Sequence, residues 1–435
     1  MTGGKWHLLS APVVGQSIST LLTTNAIVLS GSNYSMTDYS ESDDAWNALF
    51  TSATEGNMLS GKGYATKRDS DGIISMTGTL NTASKTVALT RDDFGWNFLG
   101  NPFSSAIAAT VTADATNNLL TVNASSSLDP SYAVIYVWEE GADYDATSGT
   151  NFYKVINNSG GNTTSTQHYL QAGQGFFVRA KAGGEDFSMS TAMQSHQNSV
   201  PFKSDETAWA NITLNAESTT SKASTRIAYN ENMTRGLDVT YDAGLLNSYP
   251  AFSLYTRLIE DNGVDFMIQA LPTDYEDLVV PIGLDAKAGE IIAFSAEAID
   301  IPEEYAVVLE DRLLNLFTDL SDNESYSIQL SDDNNGTGRF FVHTSFKSAL
   351  GFGDLDTQNG YQVFTNVRNN TLIIRGETSS NTKASIYNIT GKLKAELSLE
   401  PGIESQIYFN EENGIYIIRI NDEKSSYTQK FSWVR

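Results

Sequence analysis

The sequence lacks cysteine altogether and is poor in positive charge. It has 27 Lys and Arg against 52 Asp and Glu, which gives a formal net charge of −25. Without cysteine the chain forms neither disulfides nor thiolate metal sites, so burial of apolar surface must stabilise it. No run of about 18 apolar residues is present, so the sequence predicts no transmembrane helix. Such an acidic surface repels phosphate backbones, so nucleic acid is not an expected partner.

The motifs of common enzyme classes are also missing. None of the four histidines (His7, His168, His196 and His343) pairs with another at i, i+4, and no HExxH motif exists. There is no Gly-x-Ser-x-Gly elbow, no cysteine nucleophile and no phosphate-binding loop. We therefore expect no enzyme activity from this chain.

Carboxylates are too abundant for a glycosidase pair to be excluded by counting alone. Such a pair needs two acids across a cleft, one with a pKa raised by burial. Four acids lie in β-rich or turn contexts: Asp238, Asp242, Asp311 and Asp319. We expect these four to cap turns rather than catalyse.

Short acidic loops suggest calcium as a cofactor, although no motif requires one. The candidate loops are Asp69–Gly72, Glu41–Asp44 and Asp332–Asn335, with Asp69, Asp71, Asp332 and Asp333 as the candidate ligands. Hard cations need several oxygens from one or two loops, and none of these loops is a complete EF-hand. Solvated acids in turns explain the same pattern equally well.

The chain is rich in aromatic residues and contains an internal repeat. With 20 Tyr, 20 Phe and 6 Trp it has the apolar mass for several cores, and its length suggests about three domains of roughly 150 residues each. Gly4–Pro12 returns as Phe94–Pro102, with Trp and Pro offset by 90. Leu59–Lys67 returns as Gln171–Arg179, offset by 112. We interpret residues 1–195 as a duplicated β-rich unit, with copies at about 1–92 and 93–195, as paired or interlocked sandwiches.

Local patterns within the repeat predict its strands. Gly-x-Gly before an aromatic residue allows close backbone approach at the start of a strand. Trp followed by apolar residues and Pro predicts a strand that ends at a turn, and we expect the Trp side chains to anchor cores rather than form ligand platforms. Asp43–Phe50 has an acidic start and apolar residues at helical spacing, which predicts a short helix.

Residues 196–350 are predicted to form a separate antiparallel β-sandwich or jelly roll. Eight apolar runs support it, at 210–214, 225–229, 252–255, 266–270, 290–294, 305–309, 326–330 and 339–343. Glu310–Asp319 has helical periodicity but is short, so we interpret it as a strand followed by a turn.

A charge break near residue 355 marks a further boundary. Residues 356–435 hold nine basic and nine acidic residues, so residues 1–355 account for the entire net charge. We take 351–355 as a linker and 356–435 as a closing domain. The whole chain is thus predicted to be all-β, with tandem antiparallel sandwiches or jelly-roll-like domains ending in a small Ig-like sandwich.

The closing domain carries three ordered motifs. They are Asn370–Gly376, Ala384–Lys392 and Asn413–Ile420, followed by Gln429–Arg435. This pattern resembles the type A C-terminal sorting domain of cargo proteins exported by the type IX secretion system of Bacteroidota. Gly236–Asp242 and the segment after Val308 are similar to a β-sandwich that often precedes such sorting domains.

The resemblance implies export to the outer cell surface or the medium. Its partners would be the type IX translocon and its outer-membrane shuttle protein, and cleavage near 346–356 is common in this class. The N-terminus lacks a secretory signal, so we expect a fragment of a longer cargo protein. The predicted core of the tail is Leu372, Ile374, Ile386, Tyr387, Ile415, Tyr416, Ile417 and Ile418. The predicted export-signal residues are Gly391, Lys392, Gly414, Tyr416, Lys430, Phe431, Trp433, Val434 and Arg435.

Two hypotheses remain for the region upstream of the tail. The first is a non-enzymatic adhesin or binding stalk with a surface glycan as ligand. The second is the accessory region of a secreted hydrolase that acts on polysaccharide and has its catalytic domain upstream. Two carboxylates facing each other in a deep cleft would favour chemistry, whereas an aromatic-lined surface would favour binding.

Overall fold

The computed structural model describes residues 1–138, 152–161, 168–196, 209–246, 251–275, 278–314, 316–321, 324–346, 361–366, 371–379, 381–388, 392–411, 414–421 and 426–433. The chain divides into two compact units, Met1–Ile301 with Val307–Thr344, and Pro302–Ala306 with Ser345–Arg435. Both are built mainly from β-strands, which confirms the predicted class. Neither helix found in these ranges has the length and apolar character that a membrane crossing requires.

The first 92 residues form short strands around one helix. The elements are β1 (Trp6–Leu9), β2 (Val13–Val14), α1 (Ile18–Thr24), β3 (Leu29–Ser30), β4 (Asn33–Tyr34), β5 (Met36–Thr37), β6 (Tyr39–Ser40), β7 (Ala45–Trp46), β8 (Tyr64–Lys67), β9 (Thr79–Leu80) and β10 (Lys85–Val87). Ser17 caps α1 by accepting from the Thr20 N–H, and the helix buries Ile18, Leu21 and Leu22.

The helix predicted at Asp43–Phe50 is wrong, because this segment contains β7, which pairs with β6. The acidic side chains bond hydroxyls of the preceding strand instead of helical N–H groups. Ser40 donates to Asp43 at 2.6 Å, and Tyr39 donates to Asp44. Asp44 has a φ of 46°, in the left-handed region that Asp tolerates in turns.

The next stretch repeats this design with longer strands. The elements are β11 (Trp96–Gly100), β12 (Ala106–Ala108), α2 (Leu119–Asn123), β13 (Ile135–Trp138), β14 (Tyr153–Ile156), β15 (Tyr169–Leu170), β16 (Gly175–Arg179), β17 (Phe187–Met189) and β18 (Gln194–Ser195). Two 3₁₀ helices, Pro130–Tyr132 and Thr191–Met193, join them. The main sheet has the order β11-β16-β13-β14.

Corresponding strands of the two copies pair in corresponding registers. In the first copy Trp6 lies opposite Lys67 and Leu9 opposite Tyr64. In the second, Trp96 lies opposite Arg179 and Leu99 opposite Phe176. Adding 90 to the first residue of each pair in the first copy, and 112 to the second residue, gives the corresponding pair in the second copy.

The two copies also bond each other reciprocally. The Ser10 N–H donates to the Gly173 carbonyl at 2.8 Å, and the Gly100 N–H donates to the Gly61 carbonyl at 3.0 Å. The two bonds correspond under the same offsets, because Gly100 is the counterpart of Ser10 and Gly173 is the counterpart of Gly61. Each copy therefore offers its Gly-x-Gly loop to the first strand of the other.

Eleven strands between residues 211 and 346 form one large sheet. They are β19 (Asn211–Glu217), β20 (Lys222–Tyr229), β21 (Ala243–Gly244), β22 (Ser253–Arg257), β23 (Asp265–Leu271), β24 (Val279–Asp285), β25 (Ile291–Ile299), β26 (Tyr305–Asp311), β27 (Leu316–Asp319), β28 (Ser325–Gln329) and β29 (Phe340–Phe346). All eight apolar runs predicted from the sequence lie on these strands. The strand end and the turn predicted at Glu310–Asp319 are present, and the segment also contains β27, which was not predicted.

This sheet is a nearly closed barrel rather than the predicted sandwich or jelly roll. Its order is β27-β26-β29-β24-β22-β23-β20-β19-β25-β28, with β21 paired to β23. The two end strands are joined only by residues 320–324, which reach no more than about 20 Å, so the sheet must curl. Phe294 of β25 contacts Phe340 of β29 inside it, with ring centroids 4.8 Å apart.

The sheet is also mixed rather than antiparallel throughout, because β20 and β23 run parallel. A parallel pair needs a long crossover, and β21 and β22 lie within the connection between these two strands.

Residues of the second copy contact the barrel inside the first compact unit. Tyr136 donates to the Gly244 carbonyl at 2.8 Å, and Asn158 donates to Thr240 at 2.9 Å. Ala243 and Ile268 pack in one apolar cluster with Tyr136. The domain boundary at 195/196 stays a prediction.

The second compact unit contains a β-sandwich of seven strands. They are β30 (Gln362–Asn366), β31 (Thr371–Thr378), β32 (Lys383–Asn388), β33 (Leu393–Ser398), β34 (Gly402–Tyr408), β35 (Gly414–Asn421) and β36 (Ser426–Trp433). The sheets are β30-β31-β34 and β33-β32-β35-β36. Leu372, Ile374, Ile386, Tyr416 and Ile418 are buried in its core as predicted. Tyr387 and Ile417 are only half-buried, and the side chain of Ile415 lies outside those described.

Candidate functional site

An aromatic-lined cavity of about 490 Å³ opens on the first unit, where the two copies meet. Four of the six tryptophans line it, namely Trp6, Trp46, Trp96 and Trp138. Tyr39, Tyr153 and Phe177 complete the aromatic wall. The volume lies within the roughly 300–1,000 Å³ typical of small-molecule sites.

The aromatic rings stand at right angles to one another. The planes of Tyr39 and Trp46 cross at 77°, those of Tyr39 and Phe177 at 90°, and those of Trp46 and Phe177 at 85°. Their centroids are 5.0–5.8 Å apart, the usual spacing of edge-to-face pairs. This packing holds Trp46 in place, although 42% of the residue is exposed. Trp96 is buried and fits the predicted role of core anchor, whereas Trp46 does not.

One carboxylate lies at the rim of this cavity. Asp44 accepts a hydrogen bond from the Tyr39 hydroxyl and is itself exposed. Two effects raise the pKa of Tyr39 above its ordinary value, of which burial is the larger and the hydrogen bond to Asp44 the next. The Tyr39 hydroxyl therefore remains a neutral donor. Nearby, Asp38 is paired with Lys62 at 2.5 Å and accepts from the Asn47 amide at 2.9 Å.

A second cavity, of about 430 Å³, is more polar and holds two glutamates. Glu217 and Glu297 both line it and both are exposed. Glu217 forms an ion pair with Lys222 at 2.6 Å. Glu297 lies opposite Thr213 on the neighbouring strand, four positions from Glu217. Four positions correspond to about 13 Å along a strand, more than the roughly 5–9.5 Å between the carboxyls of a glycosidase pair.

The four acids predicted to cap turns are confirmed in that role. Asp238 accepts from the Thr234 N–H, Asp311 from the Leu313 N–H, and Asp319 from the Ser321 N–H. Asp242 accepts from the N–H groups of Asp238 and Ala270.

Asp242 has the perturbed ionisation often found at active sites. Burial raises its pKa to about 8, although the two N–H donors oppose the shift. The side chain is fully enclosed and lines neither cavity. Its position therefore indicates a structural role in the turn that contacts the second copy.

Each calcium candidate has a partner within the protein. Asp71 accepts from the Gly3 N–H, and Asp69 from the Ser70 hydroxyl. Asp332 accepts from Ser331, and Asp333 pairs with Lys287 at 2.9 Å. Within the described ranges, no group of three or more His, Asp or Glu residues is arranged to hold a metal ion. Calcium at these loops stays a prediction.

The predicted export-signal residues cluster along two paired strands of the tail. Gly414 lies opposite Trp433, and Tyr416 lies opposite Phe431. Lys430 is also on β36. Lys392 lies just before β33, and its N–H donates to the side chain of Asn388, the last residue of β32. Gly391, Val434 and Arg435 lie outside the described residues.

Tyr416, Phe431 and Trp433 are buried in the tail core. Trp433 meets the ring of Phe409 edge-on at 5.1 Å. In the folded tail these three rings shape the sandwich and cannot touch a partner directly. Strand β36 is the edge strand of its sheet, so a partner would meet its backbone edge. Recognition by the export machinery stays a prediction for these residues.

Sequence reasoning did not identify the aromatic cavity. The repeat drew attention to Trp6 and Trp96, but Tyr39, Trp138 and Tyr153 belong to no shared motif. They come together only in the folded structure, where the two copies contact each other. A high content of aromatic residues was the one available signal.

Comparison with known proteins agrees with this two-part organisation. Residues 2–343 match the model of a family described as "Domain of unknown function (DUF8693)". Residues 362–433 match the "Secretion system C-terminal sorting domain". No curated protein matches the chain. Among solved structures, "Biofilm associated protein - BSP domain" aligns over 99% of this chain and 91% of its own length, at 8% identity and a TM-score of 0.16. A TM-score this low does not indicate a shared fold.

The match over residues 362–433 covers the three motifs and the sandwich that they build. The tail is therefore a type IX secretion sorting domain, and the chain is exported to the outer surface or secreted. The first unit lies almost entirely within the other match. The chain belongs to the family described as domain of unknown function DUF8693, here joined to a type IX secretion sorting domain.

Proposed function

We propose that residues 1–343 form a non-enzymatic binding module, an adhesin or binding stalk, which the sorting domain delivers to the cell exterior. The aromatic cavity carries this proposal. It is open and lined by four tryptophans, and within the described part of the chain its lining contains one carboxylate, Asp44. Pre-formed aromatic pockets with few polar groups are typical of ligand-binding sites.

Its position in the repeat also supports a binding role. The matching registers and reciprocal bonds of the two copies support a duplication in which each copy completes the other. The cavity has walls from both copies, including Trp46 from the first and Phe177 from the second. Duplication would thus have created a site that neither copy forms alone.

The alternative is an accessory region of a secreted hydrolase that acts on polysaccharide and has its catalytic domain upstream. A separate question is whether this chain itself carries chemistry, and the polar cavity bears on it because Glu217 and Glu297 share its lining. Their exposure and their spacing along adjacent strands are unfavourable for acid–base catalysis, which needs one carboxyl kept protonated by burial.

The test is a comparison of binding with turnover on one polysaccharide and glycan panel, with and without calcium. We expect saturable binding without release of reducing ends, and the same result for the Glu217→Gln/Glu297→Gln double variant. Release of products by the native chain that the double variant abolishes would overturn the proposal, because it would place catalysis in this chain itself.

A further inference from the structure

The charged side chain in the described lining of the aromatic cavity is acidic, and Arg179 lies outside this lining, with its guanidinium carbon 5.7 Å from the Trp96 ring centroid. Among the residues that the structure describes, the cavity lining includes the carboxylate of Asp44 and no Lys, Arg or His. The nearby Asp38 is neutralised by Lys62, so Asp44 is the acid left at the rim. Among the described residues, Asp44 forms no ion pair, and its one hydrogen bond from a side chain comes from the neutral Tyr39 hydroxyl.

Aromatic faces add to this negative field. The face of each ring carries the negative part of its quadrupole, which attracts cations positioned over it. Tyr39, Trp46 and Phe177 all line the cavity and have mutually perpendicular planes, so their faces do not form one flat platform. A flat ligand stacks best on aromatic rings that share one plane. A compact cation can instead contact several rings whose planes are perpendicular.

We propose that this cavity binds an alkylammonium group, with Asp44 as its counter-ion and Trp46 as an exposed wall. The proposal rests on the role of residues 1–343 as a binding module and specifies its ligand class as an organic cation. A chain with a net charge of −25 also attracts cations and repels anions at long range. Anionic ligands are disfavoured at this site on the same grounds.

The experiment titrates the full chain with choline and follows tryptophan fluorescence and calorimetric heat. The matched probe is the neutral isostere of choline, in which carbon replaces the quaternary nitrogen. The two probes have the same shape, so their difference isolates the charge. We expect choline to bind at least about tenfold more tightly than the isostere, a ratio within the range of desolvated cation–π contacts.

Three variants locate the site. Trp46→Ala should abolish choline binding, and Trp46→Phe should retain part of it because a smaller ring face remains. Asp44→Asn should weaken binding about fivefold and reduce its dependence on salt. Phe317→Ala is the control, because Phe317 is a similarly exposed ring on β27, outside the cavity lining, and should leave binding unchanged.

Equal affinity for choline and its isostere would overturn the proposal, as would choline binding that survives Trp46→Ala. Absence of choline binding by the folded native chain would also overturn it. Binding of neutral glycans that Trp46→Ala abolishes would refute the cation while leaving the binding module intact. Choline binding in a chain that releases sugars from polysaccharide would support the cation site and refute the non-enzymatic module.

Discussion

At the scale of single residues, carboxylates in this protein mainly hold backbone N–H groups. The sequence predicted this role for four of them, because Asp in turns bonds nearby N–H groups. It could not predict Glu41, a buried side chain that accepts from the N–H groups of Asp92, Asp93 and Gly95. About fifty residues separate the acceptor from these donors, and local patterns contain no signal at that distance.

Asp311 combines such capping with a buried ion pair. It is 1% exposed and accepts from Arg339 at 3.0 and 2.7 Å and from the Tyr326 hydroxyl at 2.9 Å. Burial opposes ionisation, but the Arg339 and Tyr326 hydrogen bonds outweigh it and keep the pKa of Asp311 below its ordinary value. A depressed carboxyl pKa stabilises the fold above the unfolded value of about 3.9, and this contribution is lost as the pH falls further.

We therefore predict that Asp311→Asn lowers the free energy of unfolding at pH 7 by about 3–5 kcal/mol, since it leaves Arg339 buried without its partner. The loss of stability below about pH 4 should also be shallower in the variant than in the native chain. Urea denaturation between pH 7 and pH 2.5 measures both effects. Asp333→Asn, which removes a partner of the exposed Lys287, is the control and should change little. If the stability of Asp311→Asn fell below pH 4 as steeply as that of the native chain, Asp311 would not be the carboxyl responsible for this loss.

At the scale of elements, strands with alternating apolar residues were predictable, whereas a strand with both Pro and Gly in its interior was not. All eight apolar runs of the large sheet are strands, whereas β24 was missed. Pro281 and Gly283 lie inside β24, and both residues are depleted in strands. Position 283 requires glycine because Tyr255 lies opposite it on β22. The Tyr255 ring occupies the space that a Cβ at position 283 would need. Cross-strand packing of this kind overrides local propensity.

The Gly-x-Gly loops give a prediction at the same scale. A Cβ at Gly175 would lie 2.8 Å from the Leu8 carbonyl carbon and the Leu9 nitrogen, which are backbone atoms and cannot turn aside. We expect Gly175→Ala to separate β16 from the first copy and to lower the free energy of unfolding by about 1–3 kcal/mol.

Gly236→Ala is the matched control for that substitution. The Cβ it adds would lie 3.1 Å from the Glu260 carboxylate, the movable end of a flexible side chain, so stability should hardly change. Denaturation of both variants by urea makes the comparison. Equal stability of the two would show that close approach between the copies does not need glycine at position 175.

At the scale of the whole molecule, the sequence identified a neutral sorting tail behind an acidic upstream region. It did not predict that the region after residue 211 curls into a barrel-like sheet, since closure depends on which strands pair and not on local periodicity. For the same reason the aromatic cavity could not be anticipated, because it forms only when two copies and the 243–246 segment come together.

The charge asymmetry makes the two units differ in their response to salt. Residues 1–355 carry the entire net charge, and self-repulsion destabilises a compact state. Raising the ionic strength from 0.01 to 0.15 M shortens the Debye length from about 30 to 8 Å, which screens this repulsion. We predict that NaCl increases amide-exchange protection in β19 to β29 and leaves β30 to β36 unchanged, because the tail is neutral. Hydrogen exchange on the full chain separates the two units in one experiment.

Calcium chloride at equal ionic strength distinguishes screening from specific binding. If screening alone acts, the two salts should protect the first unit equally. Additional protection by calcium near Asp69 and Asp71, or near Asp332 and Asp333, would show that these loops bind the ion despite their internal partners. Equal protection of both units by NaCl would contradict the electrostatic account, because a neutral tail has no net repulsion to screen.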